Sequence, residues 1–168
     1  MIATIGATEL ISIGRNYVDV PAKVDTGADC SAIWASKIRV SQEGILSFTL
    51  FDEKSPYYTG KIFKRTDFGV AKVKSSNGTK QIRYSAKLTV MLSGRKIRVR
   101  FYLSNRSTQK FPVLIGRRTI HGKFIVDVTR RAVGTKPPSA TATNHLRKEL
   151  LRKGAYSFHE KYKERLIK

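Results

Sequence analysis

Asp25 stands in Val24-Asp25-Thr26-Gly27-Ala28, a carboxylate on a tight turn directly after the alternating stretch Val18-Asp19-Val20-Pro21-Ala22-Lys23-Val24. A carboxylate so held can act as a general base toward water or, protonated, as a general acid toward a carbonyl oxygen. It can equally be a turn former that hydrogen-bonds its own backbone. The triplet alone does not separate these readings, but its neighbours do. Asp29 and Ser31 supply polar groups before the apolar Ile33 and Trp34. Far downstream comes an apolar run closed by glycine and arginine, Val113-Leu114-Ile115-Gly116-Arg117. Little else spells out a competing chemistry. Cys30 is the only cysteine, so neither an internal disulfide nor a zinc site on paired thiolates can form. His121, His145 and His159 stand apart, and neither an H-E-x-x-H motif nor a phosphate-cradling Gly-x-x-x-x-Gly-Lys-Ser/Thr loop occurs. No metal and no cofactor are expected.

The elements that must position these residues read as mainly β over residues 1–132. Gln81 to Leu92 and Lys96 to Leu103 alternate at period two around Ser93-Gly94-Arg95, which predicts a hairpin. Ser75-Ser76-Asn77-Gly78 predicts another tight turn between Phe68–Lys74 and Thr79–Arg83. Val113-Leu114-Ile115-Gly116 is wholly apolar, as a strand buried on both sides would be. A brief helix is expected over Arg117–His121, ending near Gly122, then a final core or dimer strand over Phe124–Val128. Composition shifts at Ala132. Residues 133–168 begin with a Pro-, Gly- and Thr-rich linker and continue with two helical stretches, one capped by Asn144 and ending before Gly154, the other spanning Ser157–Ile167. Lacking a broad apolar face, this tail reads as a mobile basic extension outside the core.

Asp25-Thr26-Gly27-Ala28-Asp29 together with Leu114-Ile115-Gly116-Arg117 resembles the pattern of retropepsin-like aspartic peptidases. A longer match, over about residues 3–130, is to the bacterial and archaeal branch found beside ATP-grasp glutamate ligases and often labelled "putative ATP-dependent zinc protease". It is carried by Ala22 to Ala28, Val73 to Gly78, Ser104-Asn105-Arg106-Ser107, Phe111 to Arg118 and Gly122 to Asp127. Nothing in the spacing supports the zinc or the ATP of that label. The resemblance implies a homodimeric acid-protease β-barrel with a short C-terminal helical extension, and an aspartic endopeptidase activity. Peptide hydrolysis by this route uses two carboxylates about 3 Å apart that share one proton. With one Asp-Thr-Gly in the chain, the second would come from an identical subunit.

In that resemblance Asp25, Thr26 and Gly27 form the catalytic loop, Thr26 bonding across the dimer axis. Ala28, Asp29, Arg117 and Arg118 face substrate, Asp29 also pairing with Arg117, while Leu114, Ile115 and Gly116 support the loop from below. Lys74, Ser75, Ser76, Asn77 and Gly78 would form a flap over the cleft. Cys30, where the family more often carries other residues, is expected to be a small buried residue beneath the loop.

Charge is the outlying feature of composition. Thirty-three Lys and Arg oppose 12 Asp and Glu in 168 residues, a formal +21, and imply a polyanionic partner. The glutamate-ligase association suggests an acidic peptide or glutamate-tailed protein, steered by Lys72, Lys74, Lys80, Arg83, Arg117 and Arg118. The ligase itself is a further expected partner. A competing reading makes the chain a nucleic-acid or ribosome-binding module, or a ligase-regulating subunit, on the same scaffold. There the basic tail and exposed Tyr57, Tyr58, Tyr156 and Phe158 would meet RNA. No apolar run approaches the roughly 20 residues that span a bilayer, and the N-terminus lacks the pattern of a secretory leader, so a cytoplasmic protein without membrane contact is expected.

Overall fold

The computed structural model describes residues 2–74, 80–133 and 141–166. It divides into two compact units, Met1–Val133 and Gly134–Lys168. The first is built of strands β1 (Ala3–Ile13), β2 (Tyr17–Asp25), β3 (Ser31–Val40), β4 (Leu46–Leu50), β5 (Ile62–Arg65), β6 (Phe68–Lys74), β7 (Lys80–Leu92), β8 (Arg95–Ser104), β9 (Val113–Gly116) and β10 (Phe124–Arg131), with a single helical turn α1 (Arg117–Ile120) after β9. Six of these close on themselves in the order β1-β2-β9-β3-β8-β7, the ring completed where Ile11–Ile13 of β1 pair with Val90–Leu92 of β7. The protein is thus mainly β, with a closed barrel and short C-terminal helices.

Period-two burial explains the barrel. In β7 and β8 the inward residues Ala86, Leu88, Val90, Leu92, Val99, Phe101 and Leu103 are buried, while Thr89, Met91, Arg98 and Arg100 between them are exposed. Ser93 and Gly94 join the two strands with φ of 48° and 73°, the left-handed pair that a two-residue hairpin requires. Strand β9 lies between β2 and β3, and Val113 and Ile115 are fully buried there, so truncating either would cost about 2–4 kcal/mol. β4 and β5 close one side with aromatic rings: Phe48 stacks on Phe63 at 5.4 Å, and Phe51 meets Tyr17 at 5.7 Å.

Several expectations need correction. Of the two readings of β10, core or dimer strand, the core one is corrected: β10 is an edge strand that pairs in parallel with β1, and Ile125 and Val128 are 58% and 65% exposed. Tyr57 and Tyr58 pack against the core instead of standing free for base stacking, because Tyr57 reaches Phe51 and the Tyr58 hydroxyl accepts a hydrogen bond from Lys37 Nζ. In the second unit, α2 (Thr141–Lys153) begins before Asn144, so Asn144 is within the helix and not its cap. Gly154, at φ 80°, ends α2, and α3 (Ala155–Leu166) follows.

The tail is also more than an unpacked extension. Glu149 of α2 is buried, bonded by Lys161 at 2.5 Å, by the Tyr162 hydroxyl at 2.8 Å and by Lys153 at 3.4 Å. Among the described residues no helix is long and apolar enough to cross a membrane.

Candidate active site

Parallel pairing of β2 with β9 sets the register of the site. Ala22, Lys23, Val24 and Asp25 lie opposite Val113, Leu114, Ile115 and Gly116 in turn, so the two sequence motifs end side by side. Asp25 closes β2 and is half-buried, while Thr26 and Gly27 of the following turn are exposed. The Gly27 amide donates to Asp25 Oδ1 at 3.0 Å and the Ala28 amide to the Asp25 carbonyl at 3.3 Å. The turn-forming role of this aspartate is therefore real. It occupies Oδ1 and leaves Oδ2 without a hydrogen-bond partner among the described residues.

Beyond the turn, the chain is bolted to the segment after β9. Arg117 N–H donates to the Ala28 carbonyl at 2.7 Å and Arg118 N–H to the Asp29 carbonyl at 3.1 Å. Gly116 N–H donates to Ser31 Oγ at 3.0 Å, and that hydroxyl also meets Thr119 Oγ1 at 2.8 Å. The fit is closest at Gly116, where a Cβ would lie 2.5 Å from the Cys30 carbonyl carbon and 2.9 Å from the Ala28 oxygen. Only glycine permits that approach.

Above this frame the Arg117 guanidinium donates to Asp29 Oδ1, and both side chains are more than half exposed. That hydrogen bond, with the charge of Arg117 behind it, holds the Asp29 carboxyl below the usual carboxylate range and raises Arg117.

A cleft of about 440 Å³ opens beside the loop, lined by Ala28, Asp29 and Cys30 on one side and by Ala71, Lys72, Val73 and Arg83 of the β6–β7 hairpin on another. Strands β6 and β7 remain paired out to Lys74 and Lys80. Ser75, Ser76, Asn77 and Gly78 lie outside the described residues, as does the side chain of Lys74. Leu114 lines the cleft, Ile115 is in the core, and Arg118 is exposed.

Arg106 is the residue whose role the motif reading missed. It lines the same cleft, half-buried, with Nε donating to the Phe111 carbonyl at 3.1 Å. Burial and the neighbouring Arg83 lower its pKa, while the negative charge of Asp25 raises it. The only advance signal was its presence in the Ser104–Ser107 string. Ser31 and Thr119 likewise carry more of the frame than their residue types announce. No group of three or more His, Cys, Asp or Glu that could hold a metal occurs among the described residues.

Residues 4–137 match the RimB-like family, described as the retropepsin-like aspartic endopeptidase RimB, and the chain belongs to that family. Two curated relatives, each named "Probable alpha-L-glutamate ligase", from Shewanella pealeana and Shewanella halifaxensis, are 31% identical over 111 residues. The match takes in 64% of this chain and 24% of each relative, so the chain spans about a quarter of their length. Among solved structures, Lpg0085 from Legionella pneumophila, a protein of unknown function, aligns with a TM-score of 0.58 at 24% identity, over 77% of this chain and 95% of that one. That likeness is one of fold.

Proposed function

We propose that the chain is an aspartic endopeptidase acting as a homodimer, with the Asp25 carboxylates of two subunits sharing one proton, and that it trims acidic, glutamate-rich tails. The observation that carries this reading is Asp25 itself: a half-buried carboxylate whose Oδ2 has no hydrogen-bond partner among the described residues, registered against Gly116 on a hydrogen-bonded frame. Exposed Thr26 and Gly27 support the dimer, since a loop that meets its symmetry mate must be uncovered in one subunit.

In the reaction, the ionised carboxylate takes a proton from water as the water oxygen bonds to the scissile carbonyl carbon. The protonated carboxyl meanwhile gives its proton to the carbonyl oxygen. Collapse of the tetrahedral species re-forms the carbonyl and breaks the C–N bond: one hydroxyl proton returns to the ionised carboxylate while the other carboxyl gives its proton to the leaving nitrogen, which restores the singly protonated pair. Gly27 and the Asx turn hold Oδ1 in place so that Oδ2 is available for transfer.

Acidic substrates are supported by three features. Lys72, Arg83 and Arg106 line the cleft, while its one acid, Asp29, is engaged by Arg117. The overall charge of +21 would steer a polyanion toward it. The ligase name of the matched relatives fits a trimming enzyme that works with one adding glutamate, and that ligase is a proposed partner. In the tail, Tyr156, 80% exposed among Lys and Arg, favours a second role in contacting RNA or the ribosome in the cytoplasm.

The test is cleavage of an oligoglutamate peptide by Asp25→Asn beside the unaltered protein. A loss of about 10²–10⁴-fold is expected, with the dimer mass unchanged. Retained activity would sink the mechanism. Equal rates on oligoglutamate and oligoglutamine would sink the substrate.

A further inference from the structure

The cleft lined by Ala28, Asp29 and Cys30 has a neighbour on the far side of Cys30. A second cavity of about 170 Å³ shares Cys30, Ser31 and Tyr102 with the first, so these three residues form the sill between two adjoining spaces. The second cavity is lined by Arg98, Arg100, Arg118 and Lys123 and by no acidic side chain. Among the described residues, two of these cations make only long side-chain hydrogen bonds. Arg100 reaches Ser85 Oγ only at 3.4 Å, and Lys123 Nζ reaches the His121 carbonyl at 3.4 Å. Asp67, the acid that interacts with Arg98 and Arg100, is already paired with Lys87 at 2.9 Å.

Four cations around one concavity focus a positive potential, and arginine forks match carboxylates in geometry. Acidic side chains would be drawn here whatever happens at the first cleft. From this we infer that the second cavity is a distal subsite, which holds acidic side chains of the same peptide whose scissile bond lies at Asp25. The inference rests on the peptidase reading and extends it. An extended chain advances about 3.3–3.6 Å per residue with alternating side chains, so a peptide crossing the Cys30–Tyr102 sill sets successive carboxylates against first one cationic group and then the other. Cleavage should therefore improve with the length of the acidic tract until the second cavity is filled. The enzyme would thus sense the length of the tail as well as its charge.

The experiment compares two peptides, one with about two glutamates beside the scissile bond and one with about eight, which span at most about 7 Å and 28 Å. Four proteins are assayed: unaltered, Arg98→Ser/Arg100→Ser, the charge-matched control Arg39→Ser/Lys54→Ser, and Asp25→Asn. Arg39 and Lys54 are exposed and line neither cavity. In the unaltered protein and the control, kcat/KM for the long peptide should exceed that for the short one by about tenfold, the worth of one good charge-assisted contact. Arg98→Ser/Arg100→Ser should bring the ratio near one. A ratio unchanged in that variant, or lost equally in the control, overturns the subsite. Should Asp25→Asn cleave as fast as the unaltered protein, the peptidase reading fails instead. The subsite is then judged by equilibrium binding of the long peptide to the same proteins, where only Arg98→Ser/Arg100→Ser should weaken it.

Discussion

The loop at Asp25 and the helical pair of residues 141–166 are both rich in charge, yet charge has opposite roles in them. At the loop, the frame is backbone. Gly116, Arg117 and Arg118 are fixed by amide and hydroxyl bonds to Ala28, Asp29 and Ser31, and the charged groups Asp25 and Asp29 are carried on that frame. In the helical pair, the charges are the frame, because Glu149 gathers Lys153, Lys161 and Tyr162 around one buried carboxylate. Backbone bonds and van der Waals contact are insensitive to pH and salt, so they suit the proposed site, in which two carboxylates would have to meet within fractions of an ångström. An ion cluster is sensitive to both. Removing a charge from the loop should alter recognition or chemistry and leave the fold, whereas removing the charge from the helical pair should alter the fold and leave the chemistry.

The sharpest way to break the contrast is steric. In Gly116→Ala, the new Cβ would sit 2.5–2.9 Å from backbone atoms of Cys30 and Ala28, which have no rotamer to change. The loop must move, and Asp25 lies directly across the β2–β9 register from this residue. Destabilisation of about 1–3 kcal/mol or more is expected, read as a fall in melting temperature, with peptidase activity lost well before the fold. Normal activity in this variant would mean that the loop is not held by close backbone approach. Ala at an exposed position of the helical pair would do neither.

A smaller effect is expected at Arg106, and it tests whether loop charges serve recognition. Arg106→Met keeps the apolar stem and removes the guanidinium that lines the cleft near Asp25. The kcat/KM for an oligoglutamate peptide should fall by about 10–100-fold relative to an oligoglutamine peptide. A purely structural role, through the bond to the Phe111 carbonyl, would lower both peptides together. The ratio therefore decides between them.

Much of the barrel was legible because one-sided burial writes itself as alternation. β2, β7 and β8 could be traced that way, and Val113–Gly116 stood out as the uninterrupted run of a doubly covered strand. β3 was harder. Its first five residues are all buried and its last five mostly exposed, so no single period describes Ser31–Val40. The edge position of β10 was hidden for a related reason, since an apolar edge strand and a core strand share a composition. Within the site, the joining of Asp29 to Arg117 lay in the motifs, but the approach of Arg106 to Asp25 depends on how the chain after β8 folds back to Phe111, which no spacing records. The buried Glu149 was illegible because its burial depends on two helices packing together, and each alone looks polar.

Glu149 also gives the mildest and most separable test. Its bonds to Lys161 and Tyr162 hold its carboxyl down to about 2 from the ordinary 4.5. A group whose folded-state pKa is depressed stabilises the fold fully above its unfolded value, and that contribution fades as pH falls through the folded one. The cluster should thus be intact above about pH 4.5 and dissolve toward pH 2. The readout is loss of helical circular dichroism from the 13 residues of α2 and the 12 of α3. Glu149→Gln cannot ionise, so it should show reduced helix content already at neutral pH and no acid transition of its own. High salt should mimic it in part, because exposed Lys153 and Lys161 are screened most easily. Cleavage of short peptides by the barrel should be unaffected in this variant, since Asp25 and its frame contain no residue of the second unit. If Glu149→Gln leaves the helical signal and its pH profile unchanged, then charge does not hold this unit together, and the contrast with the loop fails from that side.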